Sequence, residues 1–262
     1  MEALAPSGSE DPPIVAPQPR ILSNLVMWPW FLGVSVVTMV GGLILGLVPR
    51  DPGRLRPLWV NHWLWGRALF AFGPLWRARR EVGPLGPGPY VIVSTHTSLL
   101  DIPLNLGLPL PIRVSARPGI FRVPVMGAYM RFSRMIPVAS DSREAVEASL
   151  EACRAAIRDG ASILVFPEGT RSEDGGIGPF HKGAFHLARE LGVPILPVVI
   201  DGTGRALPKG SPGLVQGFCR FHLRTLPPIA PEGTARALSR RVREAMVAEL
   251  AALRQSAGET SA

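Results

Sequence analysis

The longest uncharged stretch of the chain constrains its fold most strongly. Residues 21–49 contain no charged side chain, and about 20 apolar residues are enough to span the hydrocarbon core of a bilayer. A cleaved signal peptide is the alternative, but the late start, the long apolar region and the lack of a small-residue cleavage site disfavour it. The sequence therefore predicts membrane insertion, preceded by a disordered tail rich in Pro, Ser and Ala over residues 1–20.

A second apolar segment follows over residues 58–80, and it differs from the first in carrying arginines. It contains Arg67 and ends in three further arginines, a pattern typical of a helix lying at a membrane surface. All six tryptophans lie between positions 28 and 76, and tryptophan favours the headgroup level of a bilayer. We interpret residues 21–82 as a membrane-anchoring helical pair, which either crosses the bilayer or enters and leaves one leaflet.

Beyond a Gly- and Pro-rich hinge at residues 83–89, the pattern becomes that of an α/β domain. Helical patterns at 143–160, 182–192 and 234–254 alternate with short apolar, β-branched runs at 90–95, 162–166, 195–200 and 219–226. This alternation predicts a mostly parallel sheet with helices on both faces over residues 83–262. Cys153 falls on the apolar stripe of one predicted helix, so we expect a buried free thiol there.

The charge of the chain narrows its expected partners. The formal net charge is +8, which suits anionic lipid headgroups or phosphorylated substrates. No lysine-rich run or known nucleic-acid motif occurs, so nucleic acid is not an expected partner. The two cysteines form no metal-ligand pattern, and we expect no metal site.

A histidine and an aspartate stand five positions apart just after the first predicted strand of the α/β domain. On one continuous helix, His96 and Asp101 would point about 140° apart. If the helix begins near Thr97 or Ser98 instead, either side chain can cap it, and Asp101 can fold back toward His96. A histidine oriented by an aspartate is a general base. The alternative is a surface histidine beside a helix-capping aspartate.

Polar residues also follow the predicted strand at 162–166, in the sequence FPEGTRS. Glu168 supplies a carboxylate, Arg171 supplies a guanidinium suited to phosphate, and Gly169 lets the backbone approach a ligand closely. Ligands of open α/β sheets bind at the carboxyl ends of the strands, so we expect these groups at the same sheet edge as the His–Asp pair. The alternative is a polar turn with an internal ion pair.

In order and spacing, these stretches resemble the glycerolipid acyltransferases of the 1-acyl-sn-glycerol-3-phosphate acyltransferase type. HTSLLD matches the HxSxxD motif of that family, FPEGTRS matches its third block, and residues 180–203 carry its fourth. The resemblance covers about residues 85–230 and implies the fold of that family. It also implies transfer of an acyl chain from acyl-CoA or acyl carrier protein to a glycerolipid hydroxyl, with no metal or bound cofactor.

Carried over residue by residue, the resemblance makes His96 the base that deprotonates the acceptor hydroxyl and Asp101 its orienting partner. The resemblance also implies a lysophosphatidic acid-like lipid as the acceptor and phosphatidic acid as the product. The enzyme is expected at the cytoplasmic face of the inner membrane, where both donors are available. The implied substrate-binding residues are Ser98 (which also helps to hold the turn), Arg117, Glu168, Gly169, Thr170 and Arg171.

One block departs from the family pattern. Ser140 stands near the place where the family usually has an arginine that binds phosphate. Arg117, Arg122 or Arg143 could substitute for it, or the acceptor is a different lysolipid or amino-lipid. A non-catalytic lipid-binding relative and a thioester hydrolase using the same base are further alternatives.

Overall fold

A seven-stranded sheet forms the centre of the molecule. The computed structural model describes residues 20–47, 56–123, 126–139, 142–211, 213 and 218–259, so the predicted tail over residues 1–19 lies outside the described residues. The strands, in the spatial order β1-β7-β6-β2-β5-β3-β4, are β1 (Trp76–Glu81), β2 (Val91–Ser94), β3 (Ile112–Ala116), β4 (Ile136–Pro137), β5 (Ser162–Val165), β6 (Ile195–Asp201) and β7 (Cys219–Thr225).

The sheet is mostly parallel, as predicted. Strands β2 to β6 run in one direction, whereas β7 pairs antiparallel with β6 and β1 pairs parallel with β7. The described helices are α1 (Ile21–Leu47), α2 (Arg56–Ala71), α3 (Asp101–Leu106), α4 (Met126–Phe132), α5 (Arg143–Arg158), α6 (Gly183–Leu191), α7 (Thr203–Ala206) and α8 (Ala235–Glu259), with a 3₁₀ helix at Pro118–Arg122.

Helices cover both faces of the sheet, which confirms the predicted α/β class. On one face, Met27 of α1, Phe70 of α2 and Leu104 of α3 join a core with apolar residues of β2, β6 and β7. On the other face, Cys153 of α5 and Phe185 of α6 pack with side chains of α8 and the opposite sides of the strands. Cys153 is a buried free thiol, as expected.

The segment at residues 58–80 is only partly helical, which corrects its interpretation as one interfacial helix. Helix α2 ends at Ala71, and residues 76–81 form edge strand β1 of the sheet. Trp76 is buried against Phe70 and Phe221, so its indole belongs to the core. Arg77 and Arg79 are exposed, whereas Ala78 and Arg80 are half-buried, which is the two-residue period of a strand. The end of the predicted anchoring segment therefore belongs to the sheet.

Helices α1 and α2 form an antiparallel pair that lies on the α/β domain. Trp65 of α2 donates its indole N–H to Ser35 Oγ at 3.0 Å, and Trp30 of α1 donates to the carbonyl of Leu69 at 3.3 Å. By length and composition alone, one helix of the described chain could cross a membrane, through residues Ile21–Gly42. The described part of the uncharged stretch, Ile21–Leu47, thus forms a helix, as the sequence predicted.

Candidate functional site

The histidine lies in a turn between β2 and α3. Strand β2 ends at Ser94, and α3 begins only at Asp101, with Leu100 as its N-cap and no side-chain capping bond. The expectation that the helix begins near Thr97 or Ser98 and is capped by one of them is therefore wrong. The turn keeps His96 off the helix, which removes the angular obstacle to its contact with Asp101.

The carboxylate of Asp101 organises this turn. Asp101 is fully buried, and its Oδ2 accepts hydrogen bonds from the backbone N–H groups of Thr97 at 2.7 Å and Ser98 at 2.8 Å. The same oxygen lies 3.0 Å from His96 Nδ1. Because a carboxylate accepts, the shared hydrogen belongs on Nδ1, which leaves Nε2 free to take a proton. The aspartate thus caps the turn in place of Thr97 or Ser98.

Ser98 is held inside the turn. It is fully buried, its hydroxyl donates to the carbonyl of Leu207 at 2.9 Å, and its Oγ accepts from the N–H of Leu100 at 3.2 Å. Both contacts hold the turn in place, so Ser98 fits the turn-holding role and has no hydroxyl hydrogen left to donate to a substrate.

The block at residues 166–172 lies directly against the histidine, so the two motifs meet as the sequence predicted. The ring of Phe166 stacks on the imidazole of His96, with centroids 3.9 Å apart and planes 19° apart. The N–H of Ser172 donates to the carbonyl of His96 at 2.7 Å. Sequence reasoning placed Phe166 only as the end of a strand and missed its contact with the base.

Glu168 presents one unpaired oxygen in this block. Its Oε2 accepts from the N–H of Gly178 at 2.9 Å, whereas its buried Oε1 has no hydrogen-bond partner among the residues described here. Burial raises the pKa of Glu168, and the backbone N–H groups of Gly178 and of nearby His96 oppose that effect. A buried oxygen without a partner is costly, and a ligand hydroxyl is one group that would satisfy it.

A contact between Arg117 and Gly169 connects the segments that follow strands β3 and β5. Gly169 has φ +70°, and a Cβ there would lie 3.0 Å from the ring of His181, so glycine suits this position on both counts. The exposed side chain of Arg117 donates from Nη2 to the carbonyl of Gly169 at 3.0 Å. Thr170 is exposed and Arg171 is half-buried. Across the described part of the chain, no carboxylate forms an ion pair with Arg117 or Arg171.

Of the three arginines named as substitutes for the missing phosphate ligand, Arg117 contacts the site. Arg122 ends the 3₁₀ helix, and Arg143 is the first, exposed residue of α5. Ser140 lies outside the described residues. In the ranges that the structure describes, no group of three or more His, Cys, Asp or Glu side chains is arranged to hold a metal ion.

Thr203 is a further residue of the site that sequence reasoning missed. Its hydroxyl lies 2.5 Å from Asp101 Oδ1, although the two residues are far apart in the chain. A usable signal was present, because Thr203 comes just after β6, and β6 is the neighbour of β2 in the sheet.

Taken together, a buried aspartate orients a histidine at the carboxyl edge of an α/β sheet, an arrangement that suits a general base. A family model described as Acyltransferase matches residues 79–201. The 1-acyl-sn-glycerol-3-phosphate acyltransferase of Brassica napus chloroplasts is 34% identical over 80% of this chain and 63% of its own length. The human alpha enzyme of the same name is 32% identical over 61% of this chain and 58% of its own length.

Similarity to a solved structure extends over more of the chain. The crystal structure of the 1-acyl-sn-glycerophosphate acyltransferase PlsC from Thermotoga maritima is matched with a TM-score of 0.74 at 26% identity, over 89% of this chain and 97% of that one. The chain belongs to the acyltransferase family that these proteins represent, as the sequence motifs indicated. It spans about six-tenths of the length of the Brassica and human relatives.

Proposed function

We propose that this protein transfers a fatty acyl chain from acyl-CoA or acyl carrier protein to the free hydroxyl of lysophosphatidic acid, which gives phosphatidic acid. The observation that carries the proposal is the His96–Asp101 pair, held at the sheet edge against the block that contains Glu168 and Arg171. The names of the relatives support the lipid acceptor.

In the proposed reaction, His96 Nε2 takes the proton of the acceptor hydroxyl while that oxygen attacks the thioester carbonyl carbon. Asp101 stabilises the imidazolium that forms and keeps the ring in the tautomer with hydrogen on Nδ1. The tetrahedral oxyanion then collapses, the carbon–sulfur bond breaks, and the thiolate takes the proton from the imidazolium. The acyl group passes directly to the acceptor, and no covalent acyl-enzyme forms.

The acceptor is proposed to bind between the ends of β3 and β5. Glu168 Oε1 would accept a hydrogen bond from a glycerol hydroxyl, since that oxygen lacks a partner within the described chain. Arg117 uses one nitrogen for the carbonyl of Gly169 and keeps other N–H groups for an anion. Arg171 has a guanidinium of the shape that binds phosphate in a bidentate manner. These two arginines would take the place of the one missing near Ser140.

An acceptor panel tests the proposal. The purified chain in detergent is incubated with acyl-CoA and with lysophosphatidic acid, an uncharged monoacylglycerol, or water as the only acceptor. We expect phosphatidic acid to form fastest. Equal rates with the two lipids would contradict the phosphate assignment, release of free fatty acid alone would favour the thioester hydrolase, and no reaction with any acceptor would favour a lipid-binding protein.

Substitution of Arg171 by glutamine is expected to raise the KM for lysophosphatidic acid about tenfold, because a phosphate contact is worth on the order of one charge-assisted hydrogen bond. The KM for monoacylglycerol should change less than about twofold. The matched control is Arg189→Gln, which removes an exposed arginine on α6. An equal rise in KM for both acceptors would contradict phosphate binding by Arg171.

Membrane attachment is proposed to involve the outer face of α1. Only 11% of the most apolar stretch of α1 is buried. The outward residues of α1 are large and apolar over nearly the whole helix: Ile21, Leu22, Leu25, Val26, Leu32, Val36, Val37, Val40 and Ile44. An apolar face of this length, with no other described element covering it, suits a lipid environment. The proposed place is the cytoplasmic face of the inner membrane.

The inner face of α1 favours attachment to one leaflet over crossing. Near one end, Met27 is buried in the core. Near the other end, Gly42 lies against Asn61, whose amide donates to Tyr129 Oη of α4 at 2.8 Å. These two contacts are about 22 Å apart along the helix, and both are made with the same domain. If α1 crossed the bilayer, one of these two contacts would have to lie within or beyond a hydrocarbon core about 30 Å thick.

Introducing a glutamate at Val37, which is 72% exposed, is expected to lower binding to vesicles of anionic phospholipid at least about tenfold, since charge at the centre of an apolar face is costly in a membrane. The matched control is Val247→Glu on α8, at a position that is 40% exposed.

The topology of the attached protein can be tested with a thiol reagent that does not cross membranes. Arg20→Cys and Glu232→Cys should both react with it on protein bound to preformed vesicles. Vesicle binding unchanged by Val37→Glu, or protection of residue 20 alone, would contradict this attachment.

A further inference from the structure

The second oxygen of the catalytic carboxylate has a dedicated donor. Asp101 Oδ2 accepts from two backbone N–H groups and faces the imidazole, whereas Oδ1 lies 2.5 Å from Thr203 Oγ1. Thr203 is fully buried, so water does not compete for this contact. Of the described side chains, Thr203 alone bonds to Oδ1, and without it that oxygen would be buried with no partner.

The direction of the hydrogen bonds follows from the chemistry of the groups. An ionised carboxylate can only accept, so the single hydroxyl hydrogen of Thr203 points to Asp101. Thr203 Oγ1 also lies 3.0 Å from Thr97 Oγ1, and this second bond must therefore be donated by Thr97. Thr97 also gives its backbone N–H to Oδ2 of the same carboxylate. The result is a closed ring that fixes both oxygens of Asp101 relative to the turn that carries His96.

The backbone around Thr203 is shaped to deliver this hydroxyl. Gly202 has φ +99°, and a Cβ there would lie 2.5 Å from the carbonyl oxygen of Arg220. On the other side, a Cβ at Gly204 would lie 3.0 Å from Thr97 Cβ. Glycine is thus required before Thr203 and strongly favoured after it, so that the backbone can bring Thr203 close to the turn.

The end of β6 is also held in place from outside the turn. Asp201, which is largely buried, accepts from Arg254 Nε of α8 at 3.0 Å and from Arg205 Nη2 at 3.0 Å. Arg254 also donates to the carbonyl of Gly175, in the loop that follows the block at residues 166–172. Helix α8 thereby ties the strand end that carries Thr203 to the loop beside the proposed acceptor site.

We propose that Thr203 is a positioning residue for the His96–Asp101 base. Its hydroxyl holds the Asp101 carboxylate in the orientation in which Oδ2 faces the imidazole and the backbone N–H groups of Thr97 and Ser98. The inference rests on the proposed acyl transfer, because it assigns Thr203 a role in that step. Without the hydroxyl, the carboxylate can rotate away from the imidazole, and the base is in place for a smaller fraction of the time.

Three substitutions at this position test the role. Thr203→Val keeps the shape and removes the hydroxyl, and we expect kcat to fall about 30-fold with the KM for acyl-CoA within about twofold, since small displacements of a catalytic group cost rate rather than binding. Thr203→Ser keeps the hydroxyl and should retain kcat within about threefold. Thr203→Ala makes a cavity similar to that of the serine variant but lacks the hydroxyl, so the Ser–Ala difference isolates the bond even if the valine variant does not fold.

A double-mutant cycle separates positioning from a general loss of stability. If Thr203 acts through the charge and orientation of Asp101, Thr203→Val should lower the residual kcat less than about twofold in an Asp101→Asn background. The matched control is Thr225→Val, which removes another buried threonine hydroxyl, one that accepts from the N–H of Gly83 at 2.9 Å. It should lower the unfolding temperature and leave kcat unchanged.

The outcomes distinguish this inference from the proposed function. No acyl transfer by the wild-type chain would overturn the proposed function itself. An active wild type with equally active Thr203→Val and Thr203→Ala variants would overturn the role of Thr203 alone. Equal losses in the serine and alanine variants, or full additivity with Asp101→Asn, would reduce Thr203 to a packing residue and so contradict the proposal.

Discussion

Replacement of His96 by alanine is expected to lower the rate of acyl transfer by at least about a thousandfold, with little change in stability. General-base catalysis contributes about 10²- to 10⁴-fold, and in the proposed mechanism the same ring also returns the proton to the leaving thiolate. The side chain is 14% exposed and lies at the protein surface on one side. Its loss therefore removes the stacking on Phe166 and one bond to Asp101, but it opens no cavity inside the core.

The measurement is kcat/KM for phosphatidic acid formation, with thermal unfolding recorded on the same preparations. His186→Ala is the matched control, because His186 is an exposed histidine on α6, and its removal should leave the rate unchanged. Full acyl transfer by the His96→Ala protein would show that another group deprotonates the acceptor, and the proposed mechanism would then be wrong.

Substitution of Asp101 by asparagine is expected to lower kcat about 10²- to 10³-fold, because the imidazolium loses the negative charge that stabilises it. An amide oxygen at the place of Oδ2 can still accept from Thr97, Ser98 and His96. The amide nitrogen would then face Thr203, whose hydroxyl can turn and accept from it. The turn can therefore survive in the asparagine protein, so that its loss of rate reports the charge.

Alanine at position 101 should have a second effect. The N–H groups of Thr97 and Ser98 and the hydroxyl of Thr203 would all be left buried without Asp101 as acceptor. We expect a loss of about 3 kcal/mol or more of folding free energy, seen as a drop of about 8 °C in Tm. Asp159→Asn, which removes an acid paired with Arg113, is the matched control and should leave kcat unchanged. An Asp101→Ala protein as stable as the Asp101→Asn protein would contradict the turn-organising role.

The local parts of this site were predictable from the sequence. The strand before His96 and the five-residue spacing to Asp101 both lie within one short segment, and their contact follows from the bend between strand and helix. The block at residues 166–172 was expected at the same sheet edge for the same reason, since both segments follow buried parallel strands. The prediction failed only in detail, because Asp101 caps the turn and neither Thr97 nor Ser98 caps the helix.

The contacts that fix the His96–Asp101 pair were beyond sequence reasoning. Phe166 and Thr203 come from separate strand ends, and a periodic pattern reports which side of a strand is buried without saying which distant residue it meets. Strand β1 was missed because WRARRE carries little apolar alternation apart from Trp76. Its place at the sheet edge depends on pairing with β7, which joins residues more than a hundred positions apart.

The sequence by itself determined the α/β class, the order of the His–Asp motif and the block at residues 166–172, and the presence of a long apolar N-terminal helix, because each of these depends on local periodicity or spacing. Only the tertiary structure decided how the pieces meet. In the tertiary structure, α1 packs along the domain and residues 76–81 form a strand. Thr203 contacts Asp101, and Phe166 contacts His96. Those outcomes depend on packing and hydrogen bonds between distant segments, and such interactions leave no periodic signature in the chain.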